Sequence, residues 1–138
     1  MPQELFDLAE REGIIVRWWD FVPPVRGLYW APKDNSLPPV IGLDKSLEHH
    51  RRLLRCVLAE ELGHHFTTSA NSINRTFCSY QDRVWFSRDE FRAHRWALHL
   101  IPPRQLGRIL RSGNMTLWDL ADIFDVTEEM MRFRLRFI

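Results

Sequence analysis

The run Leu53 to Phe66 constrains this chain more than any other stretch. Its first half has the pattern of a buried helix, and its second half, Glu60-Glu61-Leu62-Gly63-His64-His65, breaks that pattern. At about 100° per residue, Leu53, Val57, Glu60 and His64 share one arc, with Leu54, Glu61 and His65 beside them. If that arc is buried, its carboxylates and imidazoles must be paired, neutralised or bound to a cation. The alternative is a helix end whose charges are solvated.

The spacing sharpens the first reading. Glu60 and His64 stand at i and i+4 on one helix face, and Glu61 follows the first of them. This is the geometry of the zincin motif His-Glu-x-x-His with a carboxylate at the first position. In that motif the histidines bind zinc and the glutamate is the general base.

A chain of 138 residues is long enough for one core and short for two, so a single domain is expected. The apolar fraction of 45% and six tryptophans indicate a globular chain. A formal net charge of +1 argues against strong global attraction to nucleic acid or anionic membrane. No run reaches the roughly 20 apolar residues of a membrane span, and Met1-Pro2-Gln3-Glu4 lacks the features of a signal peptide. A cytosolic protein is expected. Cys56 and Cys78 lack paired spacing and read as free thiols, Cys56 as a small buried residue rather than a ligand.

Glu4 to Arg11 predicts a short helix stopped by Gly13. Ile14 to Phe21, Arg26 to Trp30 and Val40 to Leu43 predict three strands, punctuated by Pro23-Pro24 and Pro38-Pro39, in a small twisted antiparallel sheet. The central helix runs from Ser46 or Leu47 to Phe66. A polar connection, Thr67 to Gln81, is long enough to border a functional cleft. Ser87 to Glu90 reads as a capping box opening a helix with Glu90, Ala93, His94, Ala97 and Ile101 on one face. The small residues there permit close approach to another helix, and the capping pattern offers Glu90 a purely structural role. Pro102 to Ser112 predicts a helix with a solvated face of Arg104, Arg108 and Arg111. Thr116 to Phe124 and Thr127 to Phe137 have helix-turn-helix spacing.

Leu58-Ala59-Glu60-Glu61-Leu62-Gly63-His64-His65 resembles the Leu-Ala-His-Glu-Leu-Gly-His segment of the ImmA/IrrE metallopeptidases, which are gluzincin-like proteins of mobile elements and stress regulons. Glu90-Phe91-Arg92-Ala93-His94-Arg95-Trp96-Ala97, followed by Leu100-Ile101-Pro102, is similar to that family's second block. The resemblance spans nearly the whole chain. It implies an α+β fold in which the small sheet packs on a zincin-like helical core (residues 1–101), with a C-terminal helix-turn-helix-like part (102–138) in the same domain.

By that resemblance His64 and Glu90 are metal ligands and Glu61 is the catalytic base, with Glu60 at the position of the family's first histidine. A carboxylate there gives a more oxygen-rich donor set, which widens the implied metal from zinc to manganese or iron. His94, four residues after Glu90, suggests a swapped pair: Glu60 ligates with His94 behind it, or His94 ligates with Glu60 orienting it. A buried Glu–His pair without metal is the remaining option. His65 pairs with Glu61 at i and i+4. It reads as a residue bonding beside the site, or as an alternative ligand if the helix is rotated. His49, His50 and His99 read as surface residues.

The implied activity is metal-dependent cleavage of a cytosolic regulatory protein such as a helix-turn-helix repressor, the peptide adding to the sheet edge as a strand. The alternative is an anti-repressor that works by binding alone. DNA binding through the last helix pair is disfavoured, because Thr127-Glu128-Glu129 puts carboxylates where base edges and phosphates call for cations or amides.

Overall fold

The structure, a computed structural model, describes residues 2–32, 34, 36–67, 72–74 and 88–136, the side chains of 72–74 and 89 excepted. In chain order these form α1 (Gln3–Arg11), β1 (Ile15–Trp19), β2 (Gly27–Trp30), β3 (Val40–Asp44), α2 (Arg51–Thr67), β4 (Ser72–Asn74), α3 (Arg88–Ala97), α4 (Pro103–Arg111), α5 (Leu117–Phe124) and α6 (Glu128–Leu135). Single-turn 3-10 helices, Lys45–His49 and Leu98–Leu100, precede α2 and follow α3. The α+β class expected from the pattern is observed. No helix among the described residues is long and apolar enough to cross a membrane.

The sheet departs from expectation in two ways. It has four strands in the order β1-β3-β2-β4, and β1 runs parallel to β3, while β2 is antiparallel to both of its neighbours. The reason lies in the segment between β1 and β2, which crosses over β3 instead of turning back beside β1. Gly42 makes the crossing possible: a Cβ there would stand 3.0 Å from Cζ of Phe21. Asp44, at the end of β3, fastens the crossing by accepting from the Phe21 N–H at 3.0 Å and from the N–H and hydroxyl of Ser46. Burial works to raise its pKa, but the Ser46 and Phe21 bonds and the Arg26 guanidinium hold the carboxyl below its usual range.

Alternation sorts the strand residues into two faces. Val16, Trp18, Tyr29, Ile41 and Leu43 face α1 and α2, where Ala9, Leu54, Val57, Leu58 and Leu62 complete one core. Ile15, Trp19, Leu28, Trp30 and Val40, on the other face, belong to neither core. The second core joins Cys56 and Ala59 of α2 to Ala97, Ile101 and Leu106, and to the helix pair through Leu120, Phe124, Val126, Met130, Met131 and Phe133. That pair matches the spacing read from the sequence. Thr116 and Asp119 form a capping box, Asp125 turns the chain with φ 55°, and Thr127 caps α6.

The central helix begins later than expected, at Arg51, because Lys45–His49 winds as a 3-10 turn that buries Leu47 completely. Thr67 of the long polar connection ends α2, residues 72–74 form β4, and the rest of it, like Ser87 of the expected capping box and Cys78, lies outside the described residues.

Candidate functional site

Helices α2 and α3 touch backbone to backbone. A Cβ on Gly63 would overlap the Ala93 carbonyl and stand 2.9 Å from Ala93 Cα, and Ala93 and Ala97 are wholly buried. This contact brings the polar positions of the two helices opposite each other. His64 Nε2 lies 3.4 Å from Glu90 Oε1, and His94 Nε2 lies 3.2 Å from Glu60 Oε1. Glu60, His64 and His94 are 2% exposed or less, whereas the Glu90 side chain is 31% exposed and marks the side of the cluster open to solvent.

Hydrogen-bond chemistry fixes the proton on His94. Its Nδ1 is 2.7 Å from the Glu90 backbone carbonyl, which can only accept, so Nδ1 carries the hydrogen. The Nε2 lone pair of the neutral ring then faces a Glu60 carboxylate oxygen. Two acceptors at that distance need a positive charge between them, supplied by a shared proton or by a cation. Glu60 and His94 therefore meet, as expected, and the contact is common to the ligand-plus-support arrangement and to a buried Glu–His pair without metal.

Glu61 is completely buried and borders the sheet. A Cβ on Gly27 of β2 would stand 3.2 Å from Glu61 Oε1 and 2.8 Å from Val57 Cγ1, so the strand glycine provides the space this carboxylate occupies. His65 stands apart from the four-residue cluster. Its Nδ1 is 2.9 Å from the Tyr29 hydroxyl and its Nε2 is 3.1 Å from Glu12 Oε1. The carboxylate accepts from Nε2–H, which leaves the Nδ1 lone pair to accept from Tyr29. Burial raises the Tyr29 pKa and keeps that donated proton in place. The Tyr29 ring also stacks near His64, centroids 6.5 Å apart and planes 16° from parallel.

His65 thus bonds beside the cluster, to Tyr29 and Glu12. His49, His50 and His99 are exposed. The Cys56 thiol, pushed up to about 12 by burial, stays protonated and packs in the second core. Gly27, Tyr29 and Glu12 were not legible as site residues. The only signal was parity, since Gly27 and Tyr29 occupy the inward positions of β2.

Whether these residues suit a metal can be tested on the donors themselves. Two imidazoles and two carboxylates are the N/O donors that zinc, manganese and iron accept. Ligands about 2.0 to 2.1 Å from a tetrahedral ion stand roughly 3.3 Å apart, close to the spacing within each pair. The pairs do not converge, however: among the described residues no group of three or more His, Cys, Asp or Glu is arranged to hold a metal ion. The cluster matches a metal centre in donor type and pairwise spacing, and among the described residues it is not completed to a set of three or more converging donors.

Comparison with known protein-family models and with curated proteins finds no match to this chain.

Proposed function

We propose that this protein is a metal-dependent endopeptidase of the ImmA/IrrE type, acting in the cytosol on a regulatory protein such as a helix-turn-helix repressor. The observation that carries this reading is the meeting of Glu60 and His64 with Glu90 and His94 across a helix contact closed by Gly63 and Ala93. In a purely structural helix pair, four ionisable groups at this position would cost more than apolar side chains of the same volume.

In this reading His64 and Glu90 would hold the ion, and Glu60 or His94 would have to move in as the third ligand. When bound, zinc, manganese or iron supplies Lewis acidity to a peptide carbonyl and acidifies water. The protein's own groups do the rest. Glu61 accepts the proton of the attacking water and returns it to the leaving amine. The Glu60–His94 pair retains one proton or one cation, so that this pair buries no uncompensated charge. The substrate pairs with the β4 edge, the edge of the sheet that contacts α2.

A second reading, relief of repression by binding alone, is favoured by the lack of convergence among the described ligands. Elemental analysis of the purified protein, with and without His64→Ala, separates the two. Stoichiometric metal lost in the variant supports the peptidase. Absence of metal from both, with the repressor still bound, supports the binder.

A further inference from the structure

The face of the sheet turned away from the helices is built as rows across three strands. Register places Ile15, Val40 and Trp30 in one row, Arg17, Gly42 and Leu28 in the next, and Trp19, Asp44 and Arg26 in the last. Phe21 lies over Gly42, and the result is a groove of about 300 Å³ lined by Arg17, Trp19, Phe21, Leu28, Val40 and Gly42. Trp19 is 62% exposed, Trp30 39%, and Val22, next to Phe21, 80%. None of these residues joins either core.

We propose that this face is the interface of a symmetric homodimer, two copies packing sheet to sheet. Area is the first argument. Trp19, Trp30 and the part-buried Ile15, Phe21, Leu28 and Val40 offer on the order of 400 Å² of apolar surface, within the range of the largest patch on a monomer. That is the larger part of the apolar area in a standard interface of about 800 Å² per partner, roughly 65% apolar in a homodimer.

Self-complementarity is the second argument. At the end of the last row Arg26 and Asp44 neutralise each other at 3.5 Å, which leaves Arg17 as the charge lining the groove. Arg17 and Trp19 are two residues apart on one strand face. A twofold axis between them sets the Arg17 guanidinium of each copy over the Trp19 indole of the other, a cation–π contact made twice. The helix pair α2–α3 lies on the opposite side of the sheet, so both clusters stay open in the dimer.

The test is mass measurement by analytical ultracentrifugation from 1 to 100 µM, with circular dichroism to confirm folding. Wild type sediments as a dimer in the upper part of that range. Trp19→Glu and, independently, Arg17→Glu shift it to monomer by at least tenfold in dissociation constant. Trp118→Glu, at a tryptophan 69% exposed on α5, leaves the dimer intact. If Trp19→Glu does not fold, Arg17→Glu decides alone. A wild type that is monomeric at 100 µM overturns the proposal. So does a dimer that persists in both groove variants, or one broken by Trp118→Glu.

Discussion

Gly63 lies so close to Ala93 that neither helix has room for one more carbon between them. The obstacle is backbone, which cannot swing aside as a side chain can.

Gly63→Ala must therefore push α3 away from α2. Overpacking of this kind costs about 3 kcal/mol, despite alanine's better helix propensity. Thermal or urea unfolding reads it as a fall in melting temperature of roughly 10 °C. A melting temperature within two degrees of wild type would show that the helices do not meet here.

If Glu61 is the general base of the proposed peptidase, replacing it by Gln keeps volume and removes that base. Cleavage should fall by about 10² to 10⁴ with metal content unchanged. Release of metal in this variant would make Glu61 a ligand and draw its neighbour His65 into question again. Gly27→Ala reaches the same carboxylate from the strand side, since the new methyl would press on Val57 Cγ1 and Glu61 Oε1. It should lower activity and stability together.

These two residues show what the sequence could and could not convey. The run from Glu60 to His65 announces itself, because the helical period turns polar over a single turn, and Glu90 and His94 repeat the pattern four residues apart. The partners of His65 do not, since Tyr29 and Glu12 lie 36 and 53 residues away and only the folded sheet brings them to one imidazole. The parallel β1–β3 pairing was hidden for the same reason. Short strands separated by prolines suggest hairpins, and nothing local says that Phe21 will cross Gly42.

Cys56 makes stability depend on alkaline pH. Its folded pKa of about 12 lies above the 9.0 of an unperturbed thiol, so above pH 9 the unfolded chain releases a proton that the folded chain keeps. The contribution is fully present below pH 9 and is lost as pH rises towards 12, amounting to about 1.4 kcal/mol by pH 10. Urea midpoints between pH 8 and 10.5 should decline, and Cys56→Ala should flatten the decline. In the folded state at pH 8 the thiol should resist a thiol-specific reagent that modifies it on unfolding.

Arg55 should matter more than its neighbour Arg52. Its Nη1 donates to the carbonyls of Phe124 and Asp125, at 2.6 and 2.9 Å, and closes the end of α5. Arg55→Ala leaves part-buried carbonyls without a donor and should cost about 2 kcal/mol, with faster hydrogen exchange in α5 and α6. Arg52 pairs with Asp122 and Asp125 at the surface, and Arg52→Ala should barely move the unfolding midpoint. Equal effects would mean that the carbonyl bonds are not the fastening.

One helix serves two interiors. Through Leu54, Val57, Leu58 and Leu62, α2 is rooted in the sheet, and through Cys56 and Ala59 it is rooted in the C-terminal helices. Glu60 directly follows Ala59, so its carboxylate stands on ground held by α5 and α6, far along the chain. Loosening the packing of α5 and α6 on Cys56 and Ala59 would therefore loosen the same turn of α2 that carries Glu60.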